Sequence, residues 1–156
     1  MNKHQLSQTT HQRLTAEVAD LENTKLPEVA QKIGRAREMG DLKENGDYHA
    51  AKDEYGFLND RKNLIQGILQ DSEIAADPVA GVVGWLSSVT VLFDGDDPSD
   101  AETYLIGHIE ERVNGVEVMS PSSPIGSALM GQKSGATVKV TLENGATVVV
   151  EIISVT

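Results

Sequence analysis

Apolar positions recur at three- and four-residue steps along the first half of the chain and at two-residue steps along the second. Leu14, Val18, Leu21, Val29, Ile33 and Ala36 mark one helical face, with Thr9 and Thr10 as candidate N-caps. Pro27 falls inside this run and predicts a kink or a break there. The run stops at Met39-Gly40. After a short gap, Tyr48, Ala51, Tyr55, Leu58, Lys62, Ile65 and Leu69 follow at alternating steps of three and four. That is heptad spacing, with Lys62 the one polar intruder. Two long helices joined by a short turn must lie antiparallel. At roughly 25–30 residues each, they form a hairpin about 40–45 Å long.

The second half reads as strands. Ser88–Phe93, Thr103–Ile106 and Gly115–Met119 alternate, and so do Ala136–Leu142 and Thr147–Ile153. The last two flank Glu143-Asn144-Gly145, a strong hairpin signal. One short helix is predicted at Pro124–Met130, with Pro at its start and Gly131 beyond its end. The loop Asp94–Asp100 is acidic but lacks the spacing and the terminal Glu of a calcium-binding loop, so it reads as a solvated turn. The boundary falls at Ala75-Ala76-Asp77-Pro78. The predicted class is α+β: a coiled-coil hairpin over residues 1–76, then a small β-rich domain over 77–156.

Charge sharpens this division. Residues 1–76 carry 10 Lys/Arg and 13 acids; residues 77–156 carry 3 and 11. The net charge of −11 disfavours binding duplex DNA over the whole surface, which needs a basic face. Only 4% of residues are aromatic, too few for a base-stacking sheet. With no cysteine, disulfides, thiolate nucleophiles, zinc fingers and iron–sulfur clusters are excluded. No apolar run approaches a membrane span, and the N-terminal residues do not read as a signal peptide. A cytoplasmic monomer is the expectation.

The chemistry concentrates at the turn between the helices, Gly40-Asp41-Leu42-Lys43-Glu44-Asn45-Gly46-Asp47-Tyr48. Asp41-x-x-Glu44 fits a capping box, in which Asp41 caps the second helix and Glu44 reaches back. The same spacing also lets two carboxylates converge at the end of a protrusion. Such a pair suits Mg²⁺, which keeps most of its waters and takes one or two protein oxygens. Alone it is too sparse, so ligands from a second molecule are needed. Spacing leaves both readings open.

Arg35-Ala-Arg37-Glu-Met-Gly40-Asp41-Leu-Lys-Glu44-Asn45, followed by Tyr48-His-Ala-Ala-Lys52 and Gly56-Phe57, resembles the hairpin signature of the bacterial Gre transcript cleavage factors, nearest the GreA branch. Ser120-Pro-Ser-Ser123-Pro124-Ile125-Gly126-Ser-Ala-Leu129-Met-Gly131 is similar to a segment of the same family's C-terminal domain. The resemblance implies that the coiled coil enters the secondary channel of a backtracked RNA polymerase. Asp41 and Glu44 would help place a second Mg²⁺, shared with the polymerase active site, and the polymerase would then cut the extruded RNA 3′ end. The chain would thus activate another enzyme's nuclease rather than be one. Arg37, Lys52 and Arg61 match an RNA-facing basic patch, and Ser123, Pro124 and Ile125 match the part that docks on the channel rim. Against this stand simpler roles: a solvated charged face for Lys52, core packing for Tyr48 and Tyr55, a loop and helix start for Ser123-Pro124-Ile125, and a surface position for His49. Gly46-Asp47 departs from the family's usual Ala and acid.

Three alternatives accompany this expectation. A subgroup of Gre-like factors inhibits polymerase with extra tip acids, and Asp47 is such an acid. The β-rich half resembles the fold of FKBP-type prolyl isomerases, although Trp85, Phe93 and Tyr104 are thin material for a proline pocket. A coiled-coil chaperone or scaffold would use Asp41 and Glu44 only as caps.

Overall fold

The computed structural model describes residues 3–40 and 45–156. Helix α1 (Gln8–Asp20) continues through a five-residue π turn (Leu21–Lys25) into α2 (Leu26–Glu38). The buried residues Leu14, Leu21, Leu26, Val29 and Ala36 explain the wide turn. The step from Leu21 to Leu26 is five, one more than an α-helix allows on a single face. Widening one turn, with the Leu26 N–H donating to the Leu21 carbonyl, brings Leu26 into the seam instead of Lys25. Pro27, which has no N–H to give, sits at the start of α2, so the expected break there is replaced by a π turn. The cap of α1 is also not Thr9 or Thr10. The Ser7 Oγ accepts from the Thr10 N–H at 3.1 Å, the geometry of an N-cap.

Helix α3 (Gly46–Gln70) is about 37 Å long at 1.5 Å per residue and packs along α2 and the π turn. Its buried residues are Ala51, Ile65 and Ile68, with Tyr48, Leu58, Lys62 and Leu69 half-buried. Tyr55, assigned to the seam by spacing, is 37% exposed. The antiparallel pairing shows in the side-chain contacts between the helices. Arg61 meets Glu17, Gln66 meets Glu22, and Lys32 meets Glu54.

The second unit holds a five-stranded sheet: β3 (Ser88–Phe93), β4 (Glu102–Ile106), β5 (Glu117–Met119), β6 (Thr137–Thr141) and β7 (Thr147–Val155), in the order β5-β4-β3-β7-β6. All neighbours are antiparallel except β4 and β5, which are parallel. The core gathers Val83, Val89, Val91, Ile106, Leu129, Val140, Val150, Ile152 and Val155. Val150 and Ile152 obey the two-residue alternation, but Val155 lies three further on. The register shift between Thr90 and Val91 accounts for this: β7 carries an extra residue there, and Ile153 turns outward. Between β6 and β7 the Gly145 N–H donates to the Leu142 carbonyl, and only Gly145 in that turn has a positive φ, +85°. This is a three-residue loop that closes on a left-handed glycine. Helix α4 (Pro124–Leu129) covers β6.

Two three-residue strands, β1 (His4–Leu6) and β2 (Ser72–Ile74), pair in a separate sheet. The compact units are accordingly Met1–Thr10 with Glu73–Thr156, and His11–Ser72. The expected 76/77 division assigned residues 1–10 to the hairpin, whereas the structure assigns them to the sheet-bearing unit. Leu6 is fully buried there. Glu111, only 4% exposed, accepts from the Ser7 N–H at 3.1 Å and from the Thr10 hydroxyl at 2.8 Å. One carboxylate at a helix start thus accepts from an N–H and from a hydroxyl, where the positive end of the helix dipole also favours it.

Candidate functional site at the hairpin turn

Helix α2 ends at Glu38, with Met39 at its C-cap, and α3 begins at Gly46. Asn45 is the N-cap of α3. Its Oδ1 accepts from the Tyr48 N–H at 3.1 Å, and its Nδ2 donates to the Ala36 carbonyl at 2.6 Å. One side chain thus satisfies an unpaired N–H of α3 and the carbonyl of a residue in the last turn of α2. This corrects the capping-box expectation, because the cap of α3 is Asn45 and not Asp41. The candidate carboxylates Asp41 and Glu44 lie outside the described residues. Gly46 occupies the first helical position, and its departure from Ala does not delay the start of α3.

Beside this turn the structure brings two of the three candidate cations together. The Arg37 guanidinium lies 5.8 Å from the centroid of the Tyr48 ring, and the Lys52 ammonium lies 5.5 Å from it. These are cation–π distances. A hydrogen bond from Arg37 to the phenol, then the charges of Lys52 and Arg37, hold the Tyr48 pKa below its ordinary value. His49 meets the same ring edge-on at 5.5 Å. Tyr48 is therefore a half-buried platform that gathers positive charge, in addition to packing on the seam. Arg61 is elsewhere. Its Nε donates to Glu17 at 2.6 Å and its Nη2 donates to the same carboxylate at 3.3 Å, across 44 residues of sequence. The expected three-residue patch is a pair, Arg37 and Lys52, around Tyr48.

The segment expected to dock is built around a capped turn in the sheet-bearing unit. The Ser123 Oγ accepts from the Gly126 N–H at 3.0 Å and donates to the Ser120 carbonyl at 2.7 Å. Pro124 opens α4 and is exposed, and Ile125 is half-buried against the core. Gly126 is there because nothing larger fits: a Cβ would come 2.0 Å from the Ser120 carbonyl oxygen.

Two family models span almost all of the chain. One described as "Transcription elongation factor, N-terminal" matches residues 4–74, and one described as "Transcription elongation factor, GreA/GreB, C-term" matches 78–156. The chain belongs to the GreA/GreB family of transcription elongation factors. Proteins named transcription elongation factor GreA from Mycobacterium leprae and Saccharopolyspora erythraea are 42% and 41% identical to it. They cover 96% and 95% of this chain, and the alignments span 92% and 91% of their own lengths. The GreA of Mycobacterium tuberculosis is 40% identical over 151 residues, 96% of this chain and 92% of that one. The solved GreA factor homolog 1 protein of Thermus thermophilus aligns over 99% of both chains with 19% identity and a TM-score of 0.46.

As a GreA/GreB member the chain is a transcription elongation factor, and the isomerase, chaperone and inhibitor alternatives find no support. Of the aromatic residues weighed for a proline pocket, Trp85 lines a groove of about 290 Å³ with Pro78, Val79 and Val82, and Phe93 lines a different groove with Asp94 and Asp96. Tyr104 is committed to Glu102, whose hydrogen bond raises its pKa to about 12. The site residue that sequence reasoning passed over in this Gre factor is Asn45. Its signal was present: an Asn directly before the α3 periodicity is a standard N-cap. Its second bond, to Ala36, has no signature in spacing.

Proposed function

We propose that this elongation factor acts on RNA polymerase by stimulating the polymerase's own cleavage of the RNA 3′ end in backtracked complexes. The observation that carries the reading is the Arg37–Tyr48–Lys52 cluster beside the turn that bears Asp41-x-x-Glu44. Two cations flanking an aromatic face suit an extruded single strand, because the charges take phosphates and the ring takes a base. The carboxylates are free of one competing duty, since Asn45 caps α3. Their chemistry fits Mg²⁺, a hard cation that takes one or two carboxylates and supplements them with water and phosphate oxygens. When bound in the polymerase active site, Mg²⁺ neutralises charge on the oxygens of an in-line phosphodiester displacement. In this reading Asp41 and Glu44 contribute oxygens to that site, and Arg37 and Lys52 hold the strand. Ser123, Pro124 and Ile125 form the rim-docking segment, with the exposed Pro124 ring as the contact. The chain itself is not a nuclease, and it works as a monomer in the cytoplasm. No described helix is long and apolar enough to cross a membrane.

The test adds the full-length protein to stalled, backtracked polymerase carrying RNA labelled at its 5′ end. Shortened RNA that resumes elongation on nucleotide addition is the expected result. No shortening above the polymerase's own rate, at saturating protein, would overturn the reading.

A further inference from the structure

We infer that Asn45 is a positioning residue of the hairpin turn: it sets the placement of the Arg37–Tyr48 pair. The inference rests on the proposed cleavage-stimulating role and adds a residue to it. Its basis is one side chain with two partners on different helices. Asn45 Nδ2 donates to Ala36 O at 2.6 Å, and Oδ1 accepts from Tyr48 N at 3.1 Å. Arg37 directly follows Ala36, so the bridge links the residue before the guanidinium to the residue that carries the ring.

The amide is needed because it donates and accepts at once. A carboxylate of the same size still accepts from the Tyr48 N–H, and Asp equals Asn as an N-cap. It has nothing to donate to Ala36, and its oxygen would face the carbonyl oxygen. Ser also keeps the cap but is too short to span to α2. Asn45→Asp and Asn45→Ser therefore separate capping from bridging. Both should keep the helical signal of the wild type, and Asn45→Ser, which adds no charge, would leave every other property unchanged if the residue only capped.

Two measurements on the full chain decide the matter. The first is the titration of Tyr48, followed by NMR on protein labelled at the tyrosine ring. In the wild type its pKa lies below the ordinary tyrosine value because Arg37 is held against it. In Asn45→Ser, which loses the bridge without adding a charge near the ring, it should move up toward the ordinary value, whereas the new carboxylate of Asn45→Asp would raise it by its charge alone. An unchanged Tyr48 titration in a folded Asn45→Ser overturns the inference, whatever the polymerase assay shows. The second is stimulated cleavage across a Mg²⁺ series. Misplacement of reacting groups by about 1 Å costs up to about 100-fold in rate. Asn45→Ser should therefore lose about 10- to 100-fold at every Mg²⁺ concentration, with competition for polymerase binding unchanged. Wild-type rates in Asn45→Ser, alongside a large loss in Asp41→Asn, would refute the positioning role and leave the proposed function standing. No stimulation by the wild type would refute the proposed function, and the tyrosine titration would still judge Asn45.

Discussion

Arg61 matches the family's basic patch by position, yet the structure spends it inside the hairpin. Arg61→Ala, Glu17→Ala and the double variant measure that commitment. The pair is bidentate, at 2.6 and 3.3 Å, and the two side chains are 25% and 27% exposed. At about 3 Å and an effective dielectric constant between about 20 and 80, two unit charges attract by about 1.4–5.5 kcal/mol. Most of this is offset by desolvation and side-chain ordering, and exposed pairs couple by about 0.2–1 kcal/mol. A bidentate, three-quarters-buried pair belongs at the top of that range, about 1 kcal/mol. Single substitutions would mislead, because Glu17 also lies 3.9 Å from Arg13. The double-mutant cycle removes that contribution. Urea unfolding followed by far-ultraviolet circular dichroism gives the coupling energy, and stimulated cleavage is measured on the same three proteins. Arg61→Ala should keep cleavage within about twofold of wild type. Loss of a charge-assisted phosphate contact costs about 1.5–3 kcal/mol, so Arg37→Ala and Lys52→Ala should each lose about tenfold or more. A coupling energy near zero, with Arg61→Ala as defective in cleavage as Arg37→Ala, would refute the assignment.

Gly126→Ala should destabilise the sheet-bearing unit by about 2–3 kcal/mol, the upper part of the overpacking range, because its Cβ would meet a backbone oxygen at 2.0 Å; chemical denaturation checks this, and an unchanged midpoint would contradict it. The same variant should compete poorly for polymerase, since Ser120–Ser123 must shift. His108 has a lowered pKa, chiefly from burial and then from the nearby His4, with Glu110 and Glu111 opposing. The unfolded chain therefore binds the proton more readily. Stability attached to His108 is full above about pH 6.5 and is lost as pH falls from there toward the folded value. His108→Asn should flatten the pH dependence of the melting temperature between about pH 7 and 5. An equally steep profile in the variant would contradict it.

The division into a helical hairpin and a β-rich half was legible because the two periods, 3.6 and 2, do not overlap along the chain. What escaped has physical causes. The five-residue step from Leu21 to Leu26 looked like a gap in the pattern rather than a π turn. β1 and β2 are three residues each, too short for alternation to register. Glu111 reaches Ser7 and Thr10 across more than a hundred residues, which no local signal reports. At the turn, the three-residue spacing to Glu44 favours Asp41 as the cap, although Asn45 serves as well by residue type. The start of α3 at Gly46 chose between them. The motif match carried Arg61 into the basic patch, whereas its contact with Glu17 depends on how two helices face each other. Arg37 and Lys52 lie 15 positions apart, and they converge on one ring only because α2 and α3 are antiparallel.

The central claim concerns Asp41 and Glu44, and Asp41→Asn in the backtracked-complex assay addresses it most directly. The substitution removes one negative charge at nearly constant size. Since Asn45 caps α3, helical content should not change. RNA shortening is followed over time at several Mg²⁺ concentrations, with competition against wild type measuring polymerase binding. The account predicts unchanged binding, a loss of stimulated cleavage of about 10-fold or more, and partial recovery at high Mg²⁺. Wild-type cleavage by Asp41→Asn at every Mg²⁺ concentration would contradict it.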